Sequence, residues 1–131
     1  MNEMTQLERD VIGAILLSLL HDQSKVLEVM ETLSVADRTF SPDVANSKRC
    51  SGFYLNFKPN RSLATIKNVP HHLSVQGSYP DTPAGGDFIL FFTKEKDGID
   101  FLEGSFFDYT VPIEMLLSEK HGFSIRPTSD Q

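Results

Sequence analysis

Glu103 is the residue whose type and setting most invite chemistry. In the run "KDGIDFLEGSFFDY" (residues 96 to 109) it stands inside what reads as a β-strand. Strand alternation puts Ile99, Phe101, Glu103, Ser105 and Phe107 on one face and Asp100, Leu102, Gly104 and Phe106 on the other. A carboxylate among aromatic rings must reach water, find a cation or hydrogen-bond donor, or hold a proton. A structural role would have it reach solvent or pair with Lys94 or Arg126. A functional role would make it a general acid or base, or an anchor for a basic partner. Gly104, directly after it, marks a bulge or a close approach by another backbone.

The other chemically suggestive residues are less organised. Cys50 in "SKRCSGF" has Lys48 and Arg49 beside it, and positive charge favours thiolate, but no partner histidine is assignable and a small core or loop residue is the simpler reading. His71 and His72 would point to opposite faces of an extended segment, and His21 and His121 lie far off in sequence. With one cysteine and no paired ligand spacing, no metal and no cofactor is expected. "TPAGGD" (82 to 87) precedes a strand and lacks the Lys-Ser or Lys-Thr of a phosphate loop, so it reads as a turn. Ser105 sits in a strand without a nucleophile elbow. The basic residues Arg38, Lys48, Arg49, Lys58, Arg61 and Lys67 interleave with Phe53, Tyr54 and Phe57, a pattern superficially suited to single-stranded nucleic acid.

The elements that would position these groups can be read in order. Thr5 and Glu8 form a capping-box pattern opening a helix over about 5 to 20, whose apolar stripe is wide enough to be covered on more than one side. Ser24 can cap a second helix over Lys25 to Leu33, with Val26, Val29, Met30 and Leu33 as its stripe. β-type runs follow at 52 to 57, 63 to 66, 72 to 79 and 87 to 93. Asp97-Gly98 suits a two-residue hairpin turn with positive φ, pairing strands 87 to 95 and 99 to 107. "PIEMLLSEKHG" reads as a short helix from Pro112 to a cap at Gly122, before an extended piece at 123 to 125. The expected fold is α+β: an N-terminal helical pair packed on a mostly antiparallel sheet of four to six strands, with a short C-terminal helix, in one domain over 1 to 131.

Bulk properties narrow the function classes. A chain of 131 residues with 40% hydrophobic residues fits one core. The apolar run 11 to 20 is too short to span a bilayer and lacks a basic leader, so no membrane association is expected and a cytoplasmic setting fits the lone cysteine. The net charge of −6 argues against nucleic acid. Charge is uneven: −4 over 1 to 33, +4 over 34 to 76 and −6 over 77 to 131, which fits segments that attract one another in the folded domain and, as the alternative, a partner-binding surface.

The stretch "DGIDFLEGSFFDYTVP" (97 to 112) resembles the ending of small bacterial proteins with a "LEG" strand followed by an aromatic, an acidic residue and a proline. Some of these are regarded as immunity proteins of polymorphic toxins. The resemblance carries over to Leu102, Glu103, Gly104, Asp108 and Pro112, with Phe107 where such proteins often have glycine. It implies a small soluble binder that neutralises a cognate toxin, and with no recognisable catalytic constellation in the chain, stoichiometric binding without turnover is expected, not an enzyme. The acidic bias of the last third suits a protein partner such as a basic toxin domain, met through Asp100, Glu103, Asp108, Glu114 and Glu119. The alternatives are a phage or mobile-element inhibitor of a host enzyme, or a small enzyme using Glu103 or Asp108.

Overall fold

A computed structural model describes residues 3–79, 82–107 and 109–127. Helix α1 (Gln6–Leu20) starts at the expected capping box: Thr5 Oγ1 accepts from Glu8 N at 3.1 Å and Glu8 Oε1 accepts from Thr5 N at 2.8 Å. It ends at His21, in the left-handed region at φ 56°, whose N–H donates to the Leu17 carbonyl at 2.9 Å. Helix α2 (Gln23–Glu31) is capped by Asp22 rather than Ser24. Asp22 Oδ1 accepts from the backbone N–H of Ser24 at 3.0 Å and from the Ser24 hydroxyl at 2.8 Å. The longer-reaching carboxylate takes the cap, and Ser24 serves it from inside the helix.

Seven strands follow: β1 (Val35–Pro42), β2 (Arg49–Phe57), β3 (His72–Tyr79), β4 (Thr82–Phe92), β5 (Ile99–Phe106), β6 (Val111–Pro112) and β7 (Ser124–Pro127). Their order is β1-β2-β5-β4-β3-β7, all pairings are antiparallel, and β6 adds to the start of β2. The architecture is the expected α+β one. The hydrophobic core lies between the helical pair and one face of this sheet. Val11, Ile12, Ile15, Leu16 and Val26 meet Phe53, Leu55, Leu102, Leu90, Phe88 and Val75, each at most 2% exposed. Each such burial is worth about 1.5 to 3 kcal/mol before the entropy of ordering the chain is set against it.

Several local readings are corrected. Strand β1 was not expected, because it is an edge strand whose apolar residues are chiefly Val35 and Phe40. "LATI" forms turns instead of a strand, with Ala64 N–H donating to Arg61 O and Ile66 N–H to Leu63 O, while Leu63 is buried. "TPAGGD" lies within β4 because Gly86 is paired on both sides, with Gly77 of β3 and Phe106 of β5. The C-terminal helix α3 is only Ile113–Leu116 with Pro112 at its N-cap, and Gly122 (φ 83°) serves a later bend beside the Tyr79 ring.

The hairpin between β4 and β5 forms, but with a longer connection than Asp-Gly alone. Lys96, not Gly98, takes positive φ (61°), and its N–H donates to Thr93 O at 2.8 Å. The Thr93 hydroxyl accepts from the N–H of Asp97 (3.2 Å) and Gly98 (3.1 Å) and donates to the Asp97 carboxylate (2.9 Å). Gly98 is needed for a different reason: a Cβ there would collide with the backbone and side-chain oxygens of Asn60. Asn60 in turn clamps both backbone groups of Ile99, at 3.0 and 2.9 Å.

Charged residues of the basic middle segment reach both acidic ends. Arg38 grips Glu8 through Nε (2.6 Å) and a terminal nitrogen (2.7 Å), and Arg61 meets Asp97 at 3.2 Å. His121 is buried; its Nδ1 accepts from Phe123 N–H at 3.0 Å, which leaves the proton on Nε2 to donate to Asp10 at 2.8 Å and ties α1 to the approach of β7.

Candidate functional site

The helices cover one face of the sheet, and the strand register fixes what the other face presents. Its cross-strand partners form three rows. One runs Thr39, Tyr54, Glu103, Ile89, Ser74; a second runs Asp37, Asn56, Phe101, Phe91, His72; a third runs Ser41, Gly52, Ser105, Asp87, Gln76, Arg126. Rings contact one another across four strands. Tyr54 lies 6.1 Å from Phe101, Phe101 stacks on Phe91 at 4.4 Å and 17°, and Phe91 lies 5.5 Å from His72. Tyr54 is 41% exposed, His72 is exposed, and Phe91 and Phe101 are half-buried.

Glu103 sits in this face, on a central strand and not at an edge. It is half-buried, and its carboxylate accepts a hydrogen bond from the Tyr54 hydroxyl at 3.2 Å. Neither Lys94 nor Arg126 is its partner; among the described residues no cation lies within ion-pair distance of it. The negative charge of Glu103, and secondly the hydrogen bond it accepts, pushes the Tyr54 phenol above its usual range and keeps it a donor.

The faces of β5 are largely as alternation dictates, with one change. Phe101, Glu103 and Ser105 lie on the open side and Leu102, Gly104 and Phe106 on the core side, but Ile99 is buried. The register slips between Phe91 and Phe92, so Phe101 pairs with Phe91 while Ile99 pairs with Phe92, and the side chains before the bulge change sides. Asp100, passed over by the pairing, is exposed. Gly104 answers to a close approach by a side chain and not by the expected backbone: a Cβ on it would collide with Cε1 of Phe53, whose ring packs over the strand there.

The remaining carboxylates proposed for a partner are not gathered with Glu103. Glu114 is exposed on α3 and lines a cleft of about 850 Å³ with Lys48, Arg49, Ile113 and Leu117. Helix α3 lies on the helical side of the sheet, where Leu116 and Leu117 approach Phe40 and Phe53. Glu119 is exposed in the segment after it, and Asp108 lies outside the described residues. Asp100 and Glu103 thus share one strand, while Glu114 belongs to the opposite side of the molecule.

The other candidates resolve into structure. Cys50 is fully buried, and burial pushes its thiol up, outweighing the Gly52 N–H and the Arg49 charge, so it is no activated nucleophile. Arg49 is engaged with Thr110, through Nε to Oγ1 at 2.9 Å and a terminal nitrogen to the carbonyl. Of the three β2 rings that interleave with the basic residues, Phe53 and Phe57 face the core and Tyr54 faces out. Among the described residues no group of His, Cys, Asp and Glu could hold a metal ion, and no helix is long and apolar enough to cross a membrane.

The aromatic row went unread in the sequence because its members come from four separate segments. The available signal was the alternation in "DFILFF", which puts Asp87, Ile89 and Phe91 on the face away from Phe88 and Leu90. No family model, no curated protein and no solved structure matches this chain.

Proposed function

We propose that this protein acts by stoichiometric binding to a partner protein, as an immunity-type inhibitor of a toxin, and that the open face of the sheet is its binding surface. The observation that carries the reading is the aromatic row Tyr54, Phe101, Phe91 and His72 on the open face, exposed at its ends and half-buried at its centre, with the carboxylates of Glu103, Asp37 and Asp87 at neighbouring positions of the same face. Aromatic side chains on a rigid sheet offer large contact area at little conformational cost, and carboxylates around them orient a basic partner and speed its approach. The "LEG" strand that prompted the immunity resemblance supplies two central members of this face, Phe101 and Glu103. A cytoplasmic setting belongs to the same proposal.

The test is titration of the purified chain into an activity assay of a candidate toxin domain. Inhibition that saturates near one equivalent supports the reading. Progressive consumption of the toxin or of a small substrate by substoichiometric amounts would make the protein an enzyme and overturn it.

A further inference from the structure

The geometry points to a specific binding site for an arginine side chain of the partner, formed by the Glu103 carboxylate together with the rings of Tyr54 and Phe101. This rests on the proposed open-face binding and names the chemistry that the face recognises. Three observations converge on a guanidinium.

First, Glu103 is half-buried beside two rings, and among the described residues its side-chain partner is a neutral phenol, with no cation at ion-pair distance. A carboxylate accepts several hydrogen bonds, so one from Tyr54 leaves most of its capacity for a donor arriving from solvent. Second, the tilt of 51° between the Tyr54 and Phe101 rings, with centroids 6.1 Å apart, presents aromatic surface immediately beside that carboxylate. A cation over such rings gains attraction from their π faces, and the carboxylate supplies the counter-charge. Third, the flanking row beside Asn56 adds the exposed Asp37, which holds Asn56 at 2.7 Å, while the one described cation of the three rows, Arg126, stands at their far edge near Asp87, so the field on the Tyr54 side of the site favours a cation.

Arginine fits better than lysine. Its guanidinium is planar and weakly hydrated, so it can lie on a ring while donating two parallel hydrogen bonds to a carboxylate. An ammonium is a compact, strongly hydrated point charge and would use the carboxylate but little of the ring. A nucleic-acid strand could also stack bases on an aromatic sheet, but its phosphates would be brought against Glu103, Asp37 and Asp87.

The experiment is an amide NMR titration of the full chain with end-capped Gly-Arg-Gly, Gly-Lys-Gly and oligothymidine. The expected result is that the arginine peptide shifts the amides of 54, 101 and 103 first, and that Gly-Lys-Gly binds the same place about threefold or more weakly. Glu103→Gln should weaken the arginine peptide by about fivefold or more, and Tyr54→Leu should weaken it while leaving the rest of the spectrum in place. Shifts centred instead on Glu114 and Glu119, equal response to arginine and lysine, an unaffected Glu103→Gln variant, no localised shift, or oligothymidine binding along the aromatic row would each overturn the assignment. Failure here is separable from failure of the function. One-to-one inhibition of a toxin through the open face, without arginine selectivity, sinks only this site; arginine binding without any stoichiometric inhibition sinks only the immunity reading.

Discussion

Gly104 and Phe53 show how one missing side chain organises the centre of the sheet. The Phe53 ring lies over Gly104 on the core side, where it also meets Phe88 at 6.3 Å and Phe106 at 6.5 Å. Gly104→Ala would push a methyl into that ring and should cost about 1 to 3 kcal/mol on urea denaturation. An unchanged midpoint would mean that Phe53 has another place to go. Glu103, on the reverse side of the same strand, should behave oppositely. Glu103→Gln keeps a partner for the Tyr54 hydroxyl, and because the side chain is partly solvated, stability should move by less than about 1 kcal/mol. A loss of several kcal/mol would show a carboxylate bound into the structure and leave nothing for an incoming cation.

The β4–β5 hairpin separates what its sequence announces from what its neighbours impose. Asp97-Gly98 announces a turn, and a turn is there, but the left-handed residue is Lys96 and Gly98 is dictated by Asn60, thirty-eight positions away in the chain. Lys96→Gly should therefore stabilise the hairpin by up to about 1 kcal/mol by relieving the left-handed conformation, whereas Gly98→Ala should lower the melting midpoint although Gly98 is not left-handed, because the added Cβ meets Asn60. The reverse ranking would restore the two-residue turn. The same loop carries a pH signature. The Thr93 hydroxyl, and after it Arg61, hold Asp97 below its ordinary value of 3.8. A depressed folded-state pKa gives stability that is complete above the unfolded value and is lost as pH falls through the folded one. Asp97→Asn should thus flatten the loss of stability between about pH 5 and about pH 3; a slope identical to that of the unaltered chain would mean that the Thr93 clasp does not form in solution.

Taken as one body, the molecule has a helix-covered side and an open side, and the sequence made the first far more legible than the second. Helix α1 could be read from Thr5, Glu8 and the stripe Leu7, Val11, Ile15 because a cap and a helical period are local signals. The α+β class followed from the β-type runs after residue 34. Strand β1 escaped because its residues are mostly exposed and it is recognisable only by pairing with β2. The partner of Glu103 escaped for a related reason. Tyr54 is brought opposite it by the β2–β5 register, forty-nine positions away, and nothing near Glu103 in sequence encodes that distance. The acidic last third is likewise divided by the sheet, with Glu103 on the open side and Glu114 on the side of α3, a partition that no local pattern announces.

The division also supplies the most direct test of the binding surface. Two variants change exposed or half-exposed positions on opposite sides: Phe101→Ser, in the aromatic row, and Glu114→Lys, in the cleft beside α3. Each is titrated by calorimetry against a candidate toxin domain, alongside the unaltered protein, with thermal melts to confirm folding. The open-face account predicts that Phe101→Ser weakens binding by about thirtyfold or more, as loss of a central aromatic anchor does, while Glu114→Lys stays within about threefold at moderate salt. The opposite ranking, with binding lost on Glu114→Lys and retained on Phe101→Ser, would move the interface to the α3 cleft and contradict the account.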